Sequence, residues 1–413
     1  MDILKKCDGL PLAIKVIGGL LSMRYPSELE WKAVLESHAW SVSGLPEPLD
    51  NRLYLSYEDL SPQLKQCFLY CSLFPKGTEI IQNVVTPMWI SEGFIQPMDA
   101  SSSFHDGYGG LEDIAIQYYR ELINRNLIEP AAEYSFTGYR CTMHDVVRSF
   151  AEHMTRDESL VVVDDKQAST TLRGGSSSML VRRLSLGRTV SVADWAVLQR
   201  QKSLRTLIIS CRVNLKSGDS LGSFSSLRVL YIWSANNLDR LVDSLSKLKH
   251  LRYLHLEDTD VSRLPEDIDK MKFLLHIDLP NCKKLGHLPS SITKLVHLTS
   301  LALKGTNISA VPKGFGGLSN LRLLHGFPVH VDDKDAGNNS WCSLQELAPL
   351  SQLRDLTLDG LEKVPACWMA EKAMISSMQL QSHVVIRRPT RSRSTSRQSW
   401  KSSALRPALS IYV

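Results

Sequence analysis

The sequence predicts a mixed α and α/β chain: a helical segment, a winged-helix domain, and then a leucine-rich-repeat solenoid. Three observations predict it. Leucines recur as LxxLxL at a nearly fixed step through the second half. The first half carries helical stripes that end in a hairpin pattern. At 413 residues, with 43% hydrophobic and 22% charged residues, the chain has an ordinary globular balance and is too long for one core.

The repeat is the strongest signal. Copies begin at Val181, Leu204, Leu227, Leu251, Leu274 and Leu298, so the steps are 23, 23, 24, 23 and 24 residues. Weaker copies begin at Leu321 and Leu353, separated by 32 residues. The polar stretch 331–340 between them reads as a loop in an irregular repeat. The alternating apolar residues of each copy predict a short inward-facing strand. A second apolar group, such as Leu264 with Ile268 or Leu288 with Ile292, closes the back of the coil. Asn281 and Asn307 follow strands, where a side-chain amide can satisfy turn backbone groups. One repeat cannot bury its own apolar face; stacked copies can, which gives a curved, quasi-one-dimensional solenoid.

Ahead of the repeats, Leu12, Ala13, Val16, Ile17, Leu20 and Leu21 share one helical face, and Pro11 suits the first turn of that helix. Ser61-Pro62 reads as a helix start, with Leu64, Cys67, Phe68 and Cys71 at i, i+3, i+4 and i+7. Residues 111–123 form another stripe. Glu133 to Met143 reads as a hairpin around Thr137-Gly138. A last helix carries Val146, Val147, Phe150, Ala151 and Met154. The domain boundaries follow: helical segment 1–45, winged helix 46–156, linker 157–180, repeats 181–375, and a basic, Ser/Arg-rich disordered tail 376–413. Residues 97–110 read as a surface loop.

The net charge of +5 does not by itself argue for nucleic-acid or membrane binding. Its position is informative: no acidic residue follows Glu371, and Arg387 to Arg406 could contact RNA or acidic partners. No signal peptide or membrane-length apolar run is present, so the expected compartment is the cytoplasm. The eight cysteines are scattered with no CxxC pair, which predicts free buried thiols; Cys67 and Cys71 read as core, not as metal ligands. A winged helix raises the possibility of DNA binding, but the region carries Glu112, Asp113 and Glu121 and no markedly basic helix. No nucleophile elbow, HExxH or dinucleotide loop is present, so no enzyme and no metal site is expected.

Four features then fall in a recognisable order. Gly9-Leu-Pro-Leu-Ala13, the run from Cys67 to Pro75, Met143-His-Asp145 and the repeats resemble the GLPLA, winged-helix, MHD and leucine-rich segments of plant NLR immune receptors. The phrase Trp89 to Ile95 adds to the likeness, which covers residues 1 to about 375. The resemblance implies that 1–45 is the C-terminal remnant of an NB-ARC module. It implies an ADP/ATP switch in defence, with Pro11 packing on adenine, His144 touching the phosphates, and Gly9, Leu12 and Asp145 as switch or structural neighbours. Pro11 reads equally as a helix-start proline in a core, and His144 as a helix cap. No GxxxxGK[ST] occurs, so the phosphate loop of the family is missing and the chain reads as N-terminally truncated, with no nucleotide expected on this chain alone. The outward positions of the LxLxL strands include Tyr231, Trp233, His255, Glu257, Asp278, Lys304, Asp355 and Asp359. They predict an exposed wall for a protein ligand: a pathogen effector, a guarded host protein or the receptor's own NB-ARC module. Solvated strand positions are the plainer reading of the same residues. A generic repeat scaffold, or a pseudogene-like fragment without a defence role, is the alternative function.

Overall fold

A computed structural model describes residues 2–42, 51–97, 110–131, 139–162, 181–187, 192–214, 219–235, 237–328, 342, 344–359 and 384–386. The expected loop at 98–109, the tip of the hairpin at 132–138, the loop 331–340 and most of the basic tail lie outside the described residues. Two compact units divide at 189/190.

The first unit is helical. Its helices are α1 (Asp2–Lys6), α2 (Pro11–Ser22), α3 (Glu28–Leu35), α4 (Asn51–Glu58), α5 (Pro62–Cys71), α6 (Gln82–Glu92), α7 (Leu111–Asn124) and α8 (Asp145–Thr155). The stripe on α2 buries Ala13, Ile17 and Leu20 against Cys7, Val34, Ala39 and Leu55. A Cβ on Gly19 would stand 2.6 Å from the Arg125 carbonyl carbon, so only glycine lets α2 lie against the turn after α7. Arg125 is itself fixed between Asp59, at 2.8 Å, and Glu121, at 2.9 Å. Arg24 also reaches Asp59, so one carboxylate joins α4 to two cations.

At the start of α5 the predicted cap is present: Ser61 Oγ accepts the Leu64 N–H at 3.3 Å, and Pro62 occupies the first turn. Phe68 on α5 meets Phe150 on α8 with ring centroids 6.5 Å apart, and Tyr57 adds an edge-on contact to Phe150 at 5.6 Å. Strand β1 (Ile80–Ile81), β2 (Glu129–Pro130) and β3 (Arg140–Thr142) form an antiparallel sheet in the order β1-β3-β2, which is the wing. β2 begins before Glu133, the residue at which the sequence suggests the hairpin opens. Tyr119 on α7 anchors the sheet by donating its hydroxyl to the Ile80 carbonyl at 2.7 Å.

The expected linker contains a strand that periodicity in leucine cannot show. β4 (Ser159–Val162) pairs in parallel with β5 (Arg183–Leu186), the first repeat strand, and both belong to the first unit. The β-branched pair Val161-Val162 suits that role. Arg183 is buried on β5, 4.0 Å from the Glu92 carboxylate at the end of α6, with its guanidinium 5.2 Å above the Phe94 ring. The phrase Trp89 to Ile95 therefore contains the partners that hold the first repeat strand.

The second unit is a ladder. Strands β7 (Thr206–Ile209), β9 (Val229–Trp233), β10 (Tyr253–Glu257), β11 (His276–Asp278), β12 (Ser300–Ala302), β13 (Leu323–Pro328) and β14 (Asp355–Asp359) pair in parallel, each starting two residues into its LxxLxL copy. A small parallel pair, β6 (Val192–Asp194) with β8 (Arg212–Asn214), accompanies them. The register aligns Val229, Tyr253, His276, Ser300, Leu323 and Asp355, and so keeps every inward leucine on its neighbour. Leu230, Leu254, Ile277, Leu301, Leu324 and Leu356 are all buried.

The turns after β9, β10, β11 and β12 repeat too. Ser234, Asp258, Asn281 and Gly305 all take positive φ, between 51° and 76°. Asn281 acts here through its backbone, at φ 59° with its N–H on the Lys304 carbonyl at 2.9 Å; the Asn307 N–H binds the Leu285 carbonyl at 3.0 Å. The ladder slips once. β13 bulges between Leu324 and Phe327, where Gly326 has φ 71° and a Cβ would fall 2.6 Å from the Lys304 nitrogen. A further strand, β15 (Val384–Ile386), pairs with β14 inside the segment expected to be a disordered tail. Val-Val-Ile is β-branched, and the open edge of β14 offers it hydrogen bonds.

Candidate functional site

Two sets of predicted residues can be placed. The first lies on the strand ladder. Period-two alternation puts Leu254 and Leu256 inside, and Tyr253, His255 and Glu257 on the opposite face of the sheet. Parallel pairing sets His255 beside Tyr231 on one side and Asp278 on the other.

These five residues form one cluster. The Tyr231 and His255 rings stack with centroids 4.3 Å apart and planes 11° from parallel. The Tyr253 hydroxyl donates to Asp278 Oδ2 at 3.0 Å and stands 3.1 Å from His255 Nδ1. His255 Nε2 lies 3.1 Å from Glu257 Oε2. With the tyrosine proton on Asp278, an N–H on Nδ1 can donate to the tyrosine oxygen and one on Nε2 to the Glu257 carboxylate. The protonated ring, with an N–H on each nitrogen, satisfies the tyrosine oxygen and the Glu257 carboxylate together. Burial opposes that charge, but the hydrogen bonds and negative charges of Asp278 and Glu257 outweigh it and raise the His255 pKa.

The sequence placed His255 on an exposed wall, and this is corrected. Its side chain is 4% exposed, because Tyr231 covers one face and Tyr253, Glu257 and Asp278 take its edges. Tyr231, Trp233, Glu257 and Asp278 are half-buried, and Lys304 is exposed in the turn beyond β12. Asp355 meets His325 at 3.0 Å, one strand away, and Asp359 is half-buried at the end of β14. The hub that sequence reasoning missed is Tyr253. Its signal was present, two residues before His255 on the same face, but its partner Asp278 becomes visible only through strand register.

The second set sits at two helix starts in the first unit. Pro11 opens α2 and is exposed rather than packed in a core; Leu10 and Ile14 beside it are 47% and 41% exposed. Gly9 takes φ 67° in the preceding turn, and Leu12 is half-buried. His144 is the cap of α8: its Nδ1 accepts the Val146 N–H at 3.3 Å, and the residue is exposed. With Nδ1 committed to the cap, Nε2 is the nitrogen that a phosphate could meet. Asp145 pairs with Lys76, whose hydrogen bond holds the carboxyl below its usual pKa.

The described cysteines are buried thiols. Cys67 and Cys71 are buried in α5, where burial pushes both thiols upward, and Cys141 is raised to about 11 by burial. Among the described residues, no group of three His, Cys, Asp or Glu is placed to hold a metal ion, and no helix is long and apolar enough to cross a membrane.

Comparison with known proteins places this geometry. A family model described as "Leucine-rich repeat region" matches residues 202–410, and one described as "Disease resistance protein Winged helix domain" matches 73–151. The chain is 32% identical over 285 residues to a probable disease resistance RPP8-like protein 2 of Arabidopsis thaliana, covering 66% of this chain and 30% of that protein. It is 29% identical over 380 residues to disease resistance protein RPH8A of the same plant, covering 88% of this chain and 39% of that protein. It thus spans well under half the length of these relatives. A solved leucine-rich-repeat protein of Leptospira interrogans superposes with a TM-score of 0.37, at 20% identity over 50% of each chain. With the repeat model over half its length, the disease-resistance winged helix ahead of it and these relatives, the chain belongs to the plant disease resistance proteins of the NLR type.

Proposed function

We propose that this chain supplies the winged-helix and ligand-recognising parts of a plant immune receptor, and that the concave face around His255 is where a protein partner is read. The observation that carries this is the Tyr231–His255–Tyr253–Asp278–Glu257 cluster: three aromatic rings and two carboxylates fixed by register on one wall. Tyr231 is the half-buried ring of the three, held in place by the buried His255 and Tyr253, and a rigid aromatic residue loses little entropy on binding. Trp233 extends the wall, and Lys304 gives it a cation at one end. The partner is a pathogen effector, a guarded host protein or the receptor's NB-ARC module. The reading is of a receptor rather than an enzyme, acting in the cytoplasm.

An ADP/ATP switch fits the second set of residues in part. The exposed Pro11 edge offers an apolar surface for a base, and His144 stands at a helix N-terminus, which favours anions. The chain carries no GxxxxGK[ST], so phosphate affinity would come mainly from groups other than these, and ADP binding by this chain alone is expected to be very weak.

The test is co-precipitation from leaf cells with the nucleotide-binding portion of a similar disease resistance protein and with candidate effectors. Tyr231→Ala with Trp233→Ala should lower capture of one partner by roughly tenfold or more. Unchanged capture of every partner would remove the concave face from the reading, and micromolar ADP affinity in calorimetry would overturn the nucleotide expectation.

A further inference from the structure

A second surface of the repeats is independent of the concave face. The turn that enters each strand is the same in three successive repeats: Leu251, Leu274 and Leu298 donate their N–H to Leu248, Met271 and Leu295, at 2.9 to 3.1 Å. Identical turns place the residues between these anchors in columns along one rim of the sheet, spaced by about 4.8 Å per strand. One column is Lys247, Lys270 and Lys294; the next is Lys249, Lys272 and Val296, and all six are exposed. In the third column the His250 and Phe273 rings stack 6.0 Å apart, which confirms that neighbouring turns present these side chains side by side.

This rim combines two properties that single surface residues do not. It concentrates five lysines within three turns. Lys270 and Lys294 meet Asp267 and Asp269 at 2.8 and 3.9 Å, but such exposed pairs neutralise little. The rim also holds Phe273 and Val296, at 51% and 50% exposure, the only large apolar residues so exposed among the described residues of the second unit. Exposed apolar groups flanked by lysines suit the boundary between headgroups and acyl chains, where the ring enters and the ammonium groups stay with anionic headgroups. The columns hold no arginine for bidentate phosphate contacts, and Val296 offers a nucleobase no ring to stack on, which sets a membrane above a nucleic acid.

We propose that the rim formed by Lys247, Lys249, Lys272, Phe273, Lys294 and Val296 docks the repeat unit onto an anionic lipid bilayer. The test is flotation of the full chain with phosphatidylcholine vesicles, with and without phosphatidylserine, at low and high salt. Binding is expected only with phosphatidylserine and should weaken with salt. Lys249→Gln and Lys272→Gln should each lower the partition about fivefold. Phe273→Ser should lower it about tenfold, whereas Phe273→Leu should retain most of it. These side chains are exposed, so an unchanged circular dichroism spectrum checks the fold of each variant. Equal binding to neutral vesicles, no vesicle binding, or binding of single-stranded RNA in preference to vesicles overturns the proposal. So does a partition unmoved by these substitutions, which would place the contact elsewhere, as on the Arg387–Arg406 segment.

Discussion

The two units are built on opposite plans. The first assigns each buried group a partner found nowhere else: Phe150 meets Tyr57 and Phe68, Tyr119 meets the Ile80 carbonyl, and Arg183 meets Glu92 and Phe94. The second repeats one solution, with a leucine on a leucine and a left-handed turn on a left-handed turn, strand after strand. In the first plan a single loss has no substitute nearby. In the second it is shared with two neighbours and stops there.

The largest test of that contrast deletes one core side chain from each unit. Phe150 is fully buried at the junction of α5 and α8, so Phe150→Ala should destabilise the first unit by about 3–5 kcal/mol. Leu301→Ala should cost about 2–5 kcal/mol, with lost hydrogen-exchange protection confined to β11, β12 and β13. Calorimetry and amide exchange on the whole chain separate the outcomes. Loss of protection through the entire ladder in Leu301→Ala would show that the repeats melt as one block.

A smaller effect is expected at the pair that fixes the first repeat strand. Arg183 and Glu92 side chains are 6% and 1% exposed, so removing Glu92 leaves the buried guanidinium with only the half-exposed Glu158 carboxylate, at 3.7 Å. Glu92→Gln should cost about 3 kcal/mol. Replacing both, with Glu92→Leu and Arg183→Met, should recover most of that, since an apolar pair needs no partner. If the double variant is no better than the single one, the cation over the Phe94 ring matters more than the charge pair.

The same contrast explains what could be read in the sequence. A ladder writes itself as a period, so seven strand positions and the inward face of each were legible from leucine spacing alone. β4 and β15 were not, because Leu-Val-Val and Val-Val-Ile carry no leucine period and take their strand form from a neighbour's edge. In the first unit α2, α5, α7 and α8 announced themselves by a stripe or a cap. α6 did not: it holds Pro87 and the β-branched run Val84-Val85-Thr86, and is sustained by burying Val85, Met88 and Trp89. At the candidate site, alternation identified the face of His255 but not its burial, since that depends on which residue stands beside it on the next strand.

His255 gives the finest test, because it is where the repetitive unit departs from its own plan. Its ring faces Tyr231, Tyr253, Glu257 and Asp278, and the two carboxylates raise its folded pKa above the ordinary value of 6.5 against the opposing effect of burial. A raised pKa means that the folded state holds the proton more tightly than the unfolded chain. The stabilisation is complete below the unfolded value and is lost as pH rises from there through the folded value. Unfolding free energy of the second unit should therefore fall with rising pH above 6.5, with a slope of at most about 1.4 kcal/mol per pH unit for one proton. His255→Gln should flatten that slope while leaving the ladder folded, because glutamine can still donate to one carboxylate and its neighbours on the inward face are untouched. The decisive measurement is the difference between the two proteins in denaturant midpoint across this range. An equal slope in both would mean that His255 is neutral in the folded state, and that Tyr253 donates to the imidazole rather than to Asp278.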